Sequence, residues 1–155
     1  MRLNEYLEGP CSKSSIPYWK SKTMKVPENM RIVHNDDFND KFLDEYYDEC
    51  YFRLIHYLNS IDDKIVGGFS VKTAELTDIP IIVEIINNCY SDLSVSYEQI
   101  LSYTKTRVYD EKLWILVYEI ETNHVVGCGI ADFDSEVKEG ILEWIQVLPE
   151  YRDRK

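Results

Sequence analysis

Apolar positions fall into distinct periodicities along this chain. Between about Asp37 and Asn59, Phe38, Phe42, Leu43, Tyr46, Tyr47, Cys50, Leu54, Tyr57 and Leu58 recur at helical spacing. Asp44, Glu45, Asp48, Glu49 and Arg53 lie between them. That pattern predicts an amphipathic helix over about 37–59. Residues 1 to about 35 carry no such period, and Pro10, Pro17 and Pro27 interrupt any long helix, so they read as an irregular arm. Asp62 and Asp63 mark a loop, and Gly67-Gly68 supplies flexible backbone before the next element. The division predicted is an N-terminal extension over 1–66 and a second region over 67–155.

From Phe69 the pattern alternates between strands and helices. Phe69 to Ala74 reads as a short strand. Thr77 is an N-cap candidate, with Asp78 in the first turn and Pro80 tolerated near the start of a helix running to about Tyr90. Ser96 opens a second helix to about Lys105, with Gln99 placed to complete a capping box. Leu113 to Ile120 (LWILVYEI) is apolar on both faces and predicts a central strand covered on both sides. Asn123, suited to positive φ, turns the chain into a strand over Val125 to Phe133, which makes a hairpin. Asp134 to Lys138 is a polar turn. Glu139 to Leu148 is a third long strand, stopped by Pro149. The order strand, helix, helix and three-strand meander predicts a mixed α/β layout with a mainly antiparallel sheet. The last strand is left with a bare edge.

Composition adds limits. The 155 residues are 45% hydrophobic and 29% charged, as in globular proteins, and can bury a core without a metal or disulfide scaffold. Twenty-eight Asp and Glu against 17 Lys and Arg give a net charge of -11, which argues against a nucleic-acid partner. No apolar run approaches the roughly 18 residues of a membrane helix, and the N-terminus has no signal-peptide core, so no membrane partner and a cytoplasmic location are expected. Cys11, Cys50, Cys89 and Cys128 form no Cys-x-x-Cys pair, and their flanks share no repeat. Reduced thiols and no metal are expected. The arm concentrates Lys13, Lys20, Lys22, Lys25 and Arg31 around Tyr18 and Trp19. Either those aromatics pack on the protein and leave the lysines in water, or the arm meets a polyanion.

Few residues invite chemistry. With strict alternation along 139–148, Ile141, Glu143, Ile145 and Val147 share one face. Glu143 is then a lone carboxylate among aliphatic side chains, the setting of a general base, unless it reaches solvent or pairs with a cation. A β-bulge near Ile145 to Val147 would turn backbone amides toward a ligand. Arg152-Asp153-Arg154-Lys155 follows at once, and a helix starting there would offer amides and cations to a phosphate; the alternative is a frayed basic tail. Asp132 and Asp134 either line a substrate mouth or are solvated turn carboxylates. His34, His56 and His124 have no partner at metal spacing.

Two stretches carry a resemblance: Val126-Gly-Cys-Gly-Ile-Ala-Asp-Phe133, and Glu139 to Arg152 (EGILEWIQVLPEYR). The strand followed by Val-x-Pro-x-Tyr-Arg resembles the entry to the acetyl-CoA motif of the Gcn5-related N-acetyltransferases. The resemblance covers about Phe69 to Lys155 and matches the first half to two thirds of a family member, broken off inside the pyrophosphate loop, with Lys155 where that loop has its first glycine. It implies an acetyltransferase domain using acetyl-CoA as co-substrate and an amine of a small molecule or protein as acceptor. It places the donor along the last strand at Ile145, Gln146 and Val147. Its pyrophosphate would lie at Arg152, Arg154 and Lys155, and Glu143 would be the catalytic base. The other reading of the same edge strand is a non-catalytic assembly module, or an inactive fragment, that forms a homodimer through residues 139–148.

Overall fold

The structure, a computed structural model, describes residues 1–61, 65 and 67–153. It divides into two compact units, Met1–Ile61 and Asp62–Lys155.

The first unit holds three short helices, α1 (Leu3–Leu7), α2 (Pro10–Lys13) and α3 (Tyr18–Thr23), then 3-10 turns at Asn35–Asp37 and Asp40–Asp44. Proline helps start these helices rather than preventing them. Pro10 occupies the first turn of α2, where its missing N–H costs nothing, and Pro17 sits at the N-cap of α3. Tyr6 and Tyr18 are buried with their rings 5.2 Å apart. Arg53 closes this small core. Its guanidinium lies 5.5 Å from the Tyr6 ring and bonds the Tyr6 hydroxyl. It also donates to the carbonyls of Pro10, Ser14 and Ile16 at 2.9, 3.2 and 3.1 Å.

The helix expected over 37–59 is not formed. Beyond the 3-10 turn at Asp40–Asp44 the chain is irregular through residue 58. Its apolar positions are open to solvent: Tyr47 is 92%, Phe52 93% and Leu54 89% exposed. A helix of this length needs a surface to bury its stripe, because nucleation is costly and packing supplies most helical stability. Here the tertiary anchor is Arg53, whose guanidinium spans three carbonyls.

In the second unit β1 (Phe69–Thr73) precedes two helices, α4 (Ile79–Cys89) and α5 (Tyr97–Tyr103), and the meander β2 (Tyr109–Glu119), β3 (Val125–Asp134) and β4 (Glu139–Val147). The strands lie in the order β1-β2-β3-β4, with every pair antiparallel. The fold is therefore mixed α/β, a four-stranded antiparallel sheet with helices. Ile79, Ile82, Ile86 and Ile100 from the helices pack on Trp114, Leu116, Cys128 and Ile130 from the sheet. Asn123 and Lys138 take the positive φ values, 53° and 54°, that close the two hairpins.

Local details differ from expectation. Thr77 does not cap α4. A 3-10 turn over Leu76–Asp78 precedes the helix, and the Asp78 carboxylate reaches back to the Glu75 N–H at 2.8 Å. Ser96 does cap α5, accepting from the Gln99 N–H at 3.2 Å. The strand expected over 113–120 is covered mainly on one side. Trp114 and Leu116 are buried, whereas Ile115 and Val117 are half-buried on the face they share with Gly127 and Gly129.

Candidate active site

β4 is the last strand of the sheet, and its register carries the site. Ile130 pairs with Trp144, but the next residue, Ala131, pairs with Leu142. Glu143 is the extra residue of a β-bulge. The bulge thus lies at Glu143, not between Ile145 and Val147 where it was expected. It has a second consequence. Two residues now stand opposite one, so the alternation of side chains changes phase. Trp144, Gln146 and Leu148 turn inward, while Leu142, Ile145 and Val147 are exposed on the opposite face. Ile145 and Val147 therefore do not share a face with Glu143, as strict alternation predicted.

Below the bulge the ladder is regular. Leu148 donates its N–H to the Val126 carbonyl at 2.9 Å, and the register runs Val147 with Gly127, Gln146 with Cys128 and Ile145 with Gly129. In an antiparallel pair, alternate residues bond the neighbour and the residues between them point the other way. Gln146 and Leu148 thus bond β3, while the N–H and C=O groups of Ile145 and Val147 point to the open edge. Gly127 allows this close pairing, since a Cβ there would stand 2.7 Å from the Gln146 carbonyl oxygen.

Six side chains gather on or against this strand. Glu143 is half-buried, with Oε1 enclosed from solvent. The ring of Trp144 meets that of Tyr90 edge-on at 6.3 Å, and Gln146 donates to the Tyr90 hydroxyl at 3.0 Å. Cys89, the last residue of α4, directs its thiol at the Val147 carbonyl, 3.3 Å away. Arg152 donates through Nε to the same carbonyl at 3.0 Å and reaches the Cys89 carbonyl at 3.5 Å. A cation at the carbonyl end of α4 also suits the helix dipole.

The structure brings Glu143, Ile145, Gln146, Val147 and Arg152 together on one strand and the turn after it. Gln146 differs from its neighbours, since its main chain pairs with β3 and its side chain is held by Tyr90. Arg152 turns its guanidinium back onto the protein, over a 3-10 turn at Pro149–Tyr151, and Asp153 follows at φ 60°. Arg154 and Lys155 lie outside the described residues. Tyr90 and Cys89 were not legible as site residues, because only the packing of α4 on the sheet carries them to β4.

Asp132 and Asp134 are not solvated turn carboxylates. Both are buried, and Asp134 receives both guanidinium nitrogens of Arg107, at 2.7 and 2.9 Å. Among the described residues no cluster of metal-binding side chains occurs, and no helix is long and apolar enough to cross a membrane.

No family model and no curated protein matches the chain. Among solved structures it is similar to a GCN5-related N-acetyltransferase from Sphaerobacter thermophilus, at 22% identity and TM-score 0.49, over 57% of this chain and 28% of that one. It is also similar to Ard1 from Thermoplasma volcanium, at 14% identity and TM-score 0.45, over 55% and 53% of the two chains. The chain thus spans between about a quarter and a half of the length of these two structures.

Proposed function

We propose that residues 67–155 form part of an N-acetyltransferase that takes its acetyl group from acetyl-CoA and passes it to an amine. One observation carries this reading. β4 ends at Val147, shortly before Pro149 and after a bulge at Glu143. It turns the main-chain groups of Ile145 and the N–H of Val147 to an open edge, while the Val147 carbonyl is held by Cys89 and Arg152. The Val-x-Pro-x-Tyr-Arg motif sits on that stretch, so the motif and the geometry it would need coincide.

On this reading the amide-bearing arm of the donor adds to the sheet as a short strand, with main-chain bonds to Ile145 and Val147 fixing its register. The thioester then lies near the bulge. The neutral amine nitrogen attacks the thioester carbonyl and forms the amide C–N bond. The carbon–sulfur bond breaks with its electron pair leaving on CoA as the thiolate, and Glu143 takes the proton that the nitrogen loses, directly or through a water. Arg152 holds Val147 and the end of α4 together, which fixes the edge the donor reads. The pyrophosphate lies beyond it, toward Arg154 and Lys155.

Thermal denaturation with and without acetyl-CoA tests the reading. At a thousandfold excess over Kd the donor adds about 4 kcal/mol, a clear rise in Tm. No rise at saturating acetyl-CoA would overturn it. The acceptor follows only by class, an amine.

A further inference from the structure

The first unit contains a cleft of about 540 Å³, within the range of small-molecule sites. Its wall inverts the sign of the molecule. Residues 1–35 hold six Lys and Arg against three Glu in a chain of net charge -11. Three of those cations, Lys13, Lys20 and Arg31, line the cleft with His34. Asp37 supplies the one carboxylate among the described lining residues. Ser15 and Ser21 add hydroxyls, while Met30 and Ile32 supply apolar surface.

We infer that this cleft binds a small organic anion, a phosphate monoester with an apolar or aromatic body. Several observations favour a doubly charged head group. Cations drawn from α2, α3 and the irregular segment after residue 30 line one concavity. The Arg31 guanidinium is fixed by stacking, 4.6 Å from the Phe42 ring centre. A stacked guanidinium donates in its own plane, as a fork suited to phosphate oxygens. His34 is held in place too, with Nε2 3.2 Å from the Cys11 carbonyl and Nδ1 accepting from the Asp36 N–H at 3.3 Å. Apolar lining beside the cations suits a ligand body. The site is independent of the acetyltransferase reading, since every residue it uses belongs to the first unit.

The test is calorimetric titration of the whole chain with phenyl phosphate, benzoate and inorganic phosphate at matched ionic strength in sodium chloride. Saturable one-to-one binding of phenyl phosphate is expected, tighter than either partial analogue. Lys13→Glu, on an exposed side chain, should weaken it by about tenfold or more, and Arg31→Lys, which keeps the charge but loses the fork, by a smaller factor. Circular dichroism confirms that both variants stay folded. Absence of saturation at about 10 mM phenyl phosphate would overturn the inference, as would equal binding by Lys13→Glu. Binding of duplex DNA or anionic lipid vesicles without phenyl phosphate binding would also overturn it, by showing a surface for polyanions.

Discussion

At the scale of single residues, position in the ladder decides role. Glu143 is the unmatched residue of β4, and this brings its carboxylate beside Trp144 rather than in line with Ile145. Glu143→Gln keeps the shape and removes the proposed base. Turnover should fall about 10²- to 10⁴-fold, with donor affinity retained. Steady-state kinetics over a range of acetyl-CoA separates the two, and a rate within twofold of the parent would place the base elsewhere. Cys128 makes a different kind of prediction. Burial pushes its thiol up to about 12, with a smaller contribution from Cys89. A thiol with a raised folded pKa stabilises the fold fully below its unfolded value, near 9, and loses that contribution as pH rises toward 12. Urea midpoints should therefore drop more steeply between these limits for the parent than for Cys128→Val, and equal slopes would contradict this.

At the scale of elements, β4 depends on what lies beside it. Gly127 lets the strand approach β3, and any Cβ there meets backbone, which cannot swing aside. Gly127→Ala should cost about 1–3 kcal/mol in urea unfolding, as an overpacked contact does. Gly140→Ala, with nothing within 4 Å of the added atom, should change little by comparison. Equal effects at both sites would mean that the close pairing of β3 and β4 is not what Gly127 provides. The Asp134–Arg107 pair has a related function at the far end of β3. A fully buried carboxylate there keeps both guanidinium nitrogens of one partner, and so fixes the loop before β2 to the strand that β4 pairs with.

At the scale of the whole molecule, two units are built on different principles. The second rests on an isoleucine-rich core between helices and sheet. The first has few buried side chains and relies on Arg53 to satisfy backbone carbonyls. Arg53→Met keeps the stem and removes the donors, leaving those carbonyls without their charged partner. The expected loss is about 2–3 kcal/mol, seen as faster amide exchange over residues 10–16. Arg53→Lys should recover only part, because one ammonium cannot match a planar fork across several acceptors. Unchanged exchange in Arg53→Met would show that the tyrosine pair alone holds this unit.

The sequence by itself determined the order of elements from Phe69 to Leu148, because period and punctuation are local. An apolar run marks β2, Asn123 and the polar turn at Asp134 to Lys138 bound β3, Ser96 caps α5 and Pro149 stops a strand. It also marked Glu143 and the Val-x-Pro-x-Tyr-Arg stretch as the place to look. Tertiary structure alone decided three things. It set the phase of β4, since a bulge is a property of register between two strands and a one-residue shift moves every later side chain to the other face. It brought Cys89 to Val147 and Tyr90 to Gln146, since contacts between residues far apart leave no trace in spacing. And it left residues 45–58 unhelical despite their period, because an amphipathic stripe specifies a helix only where another surface is present to bury it.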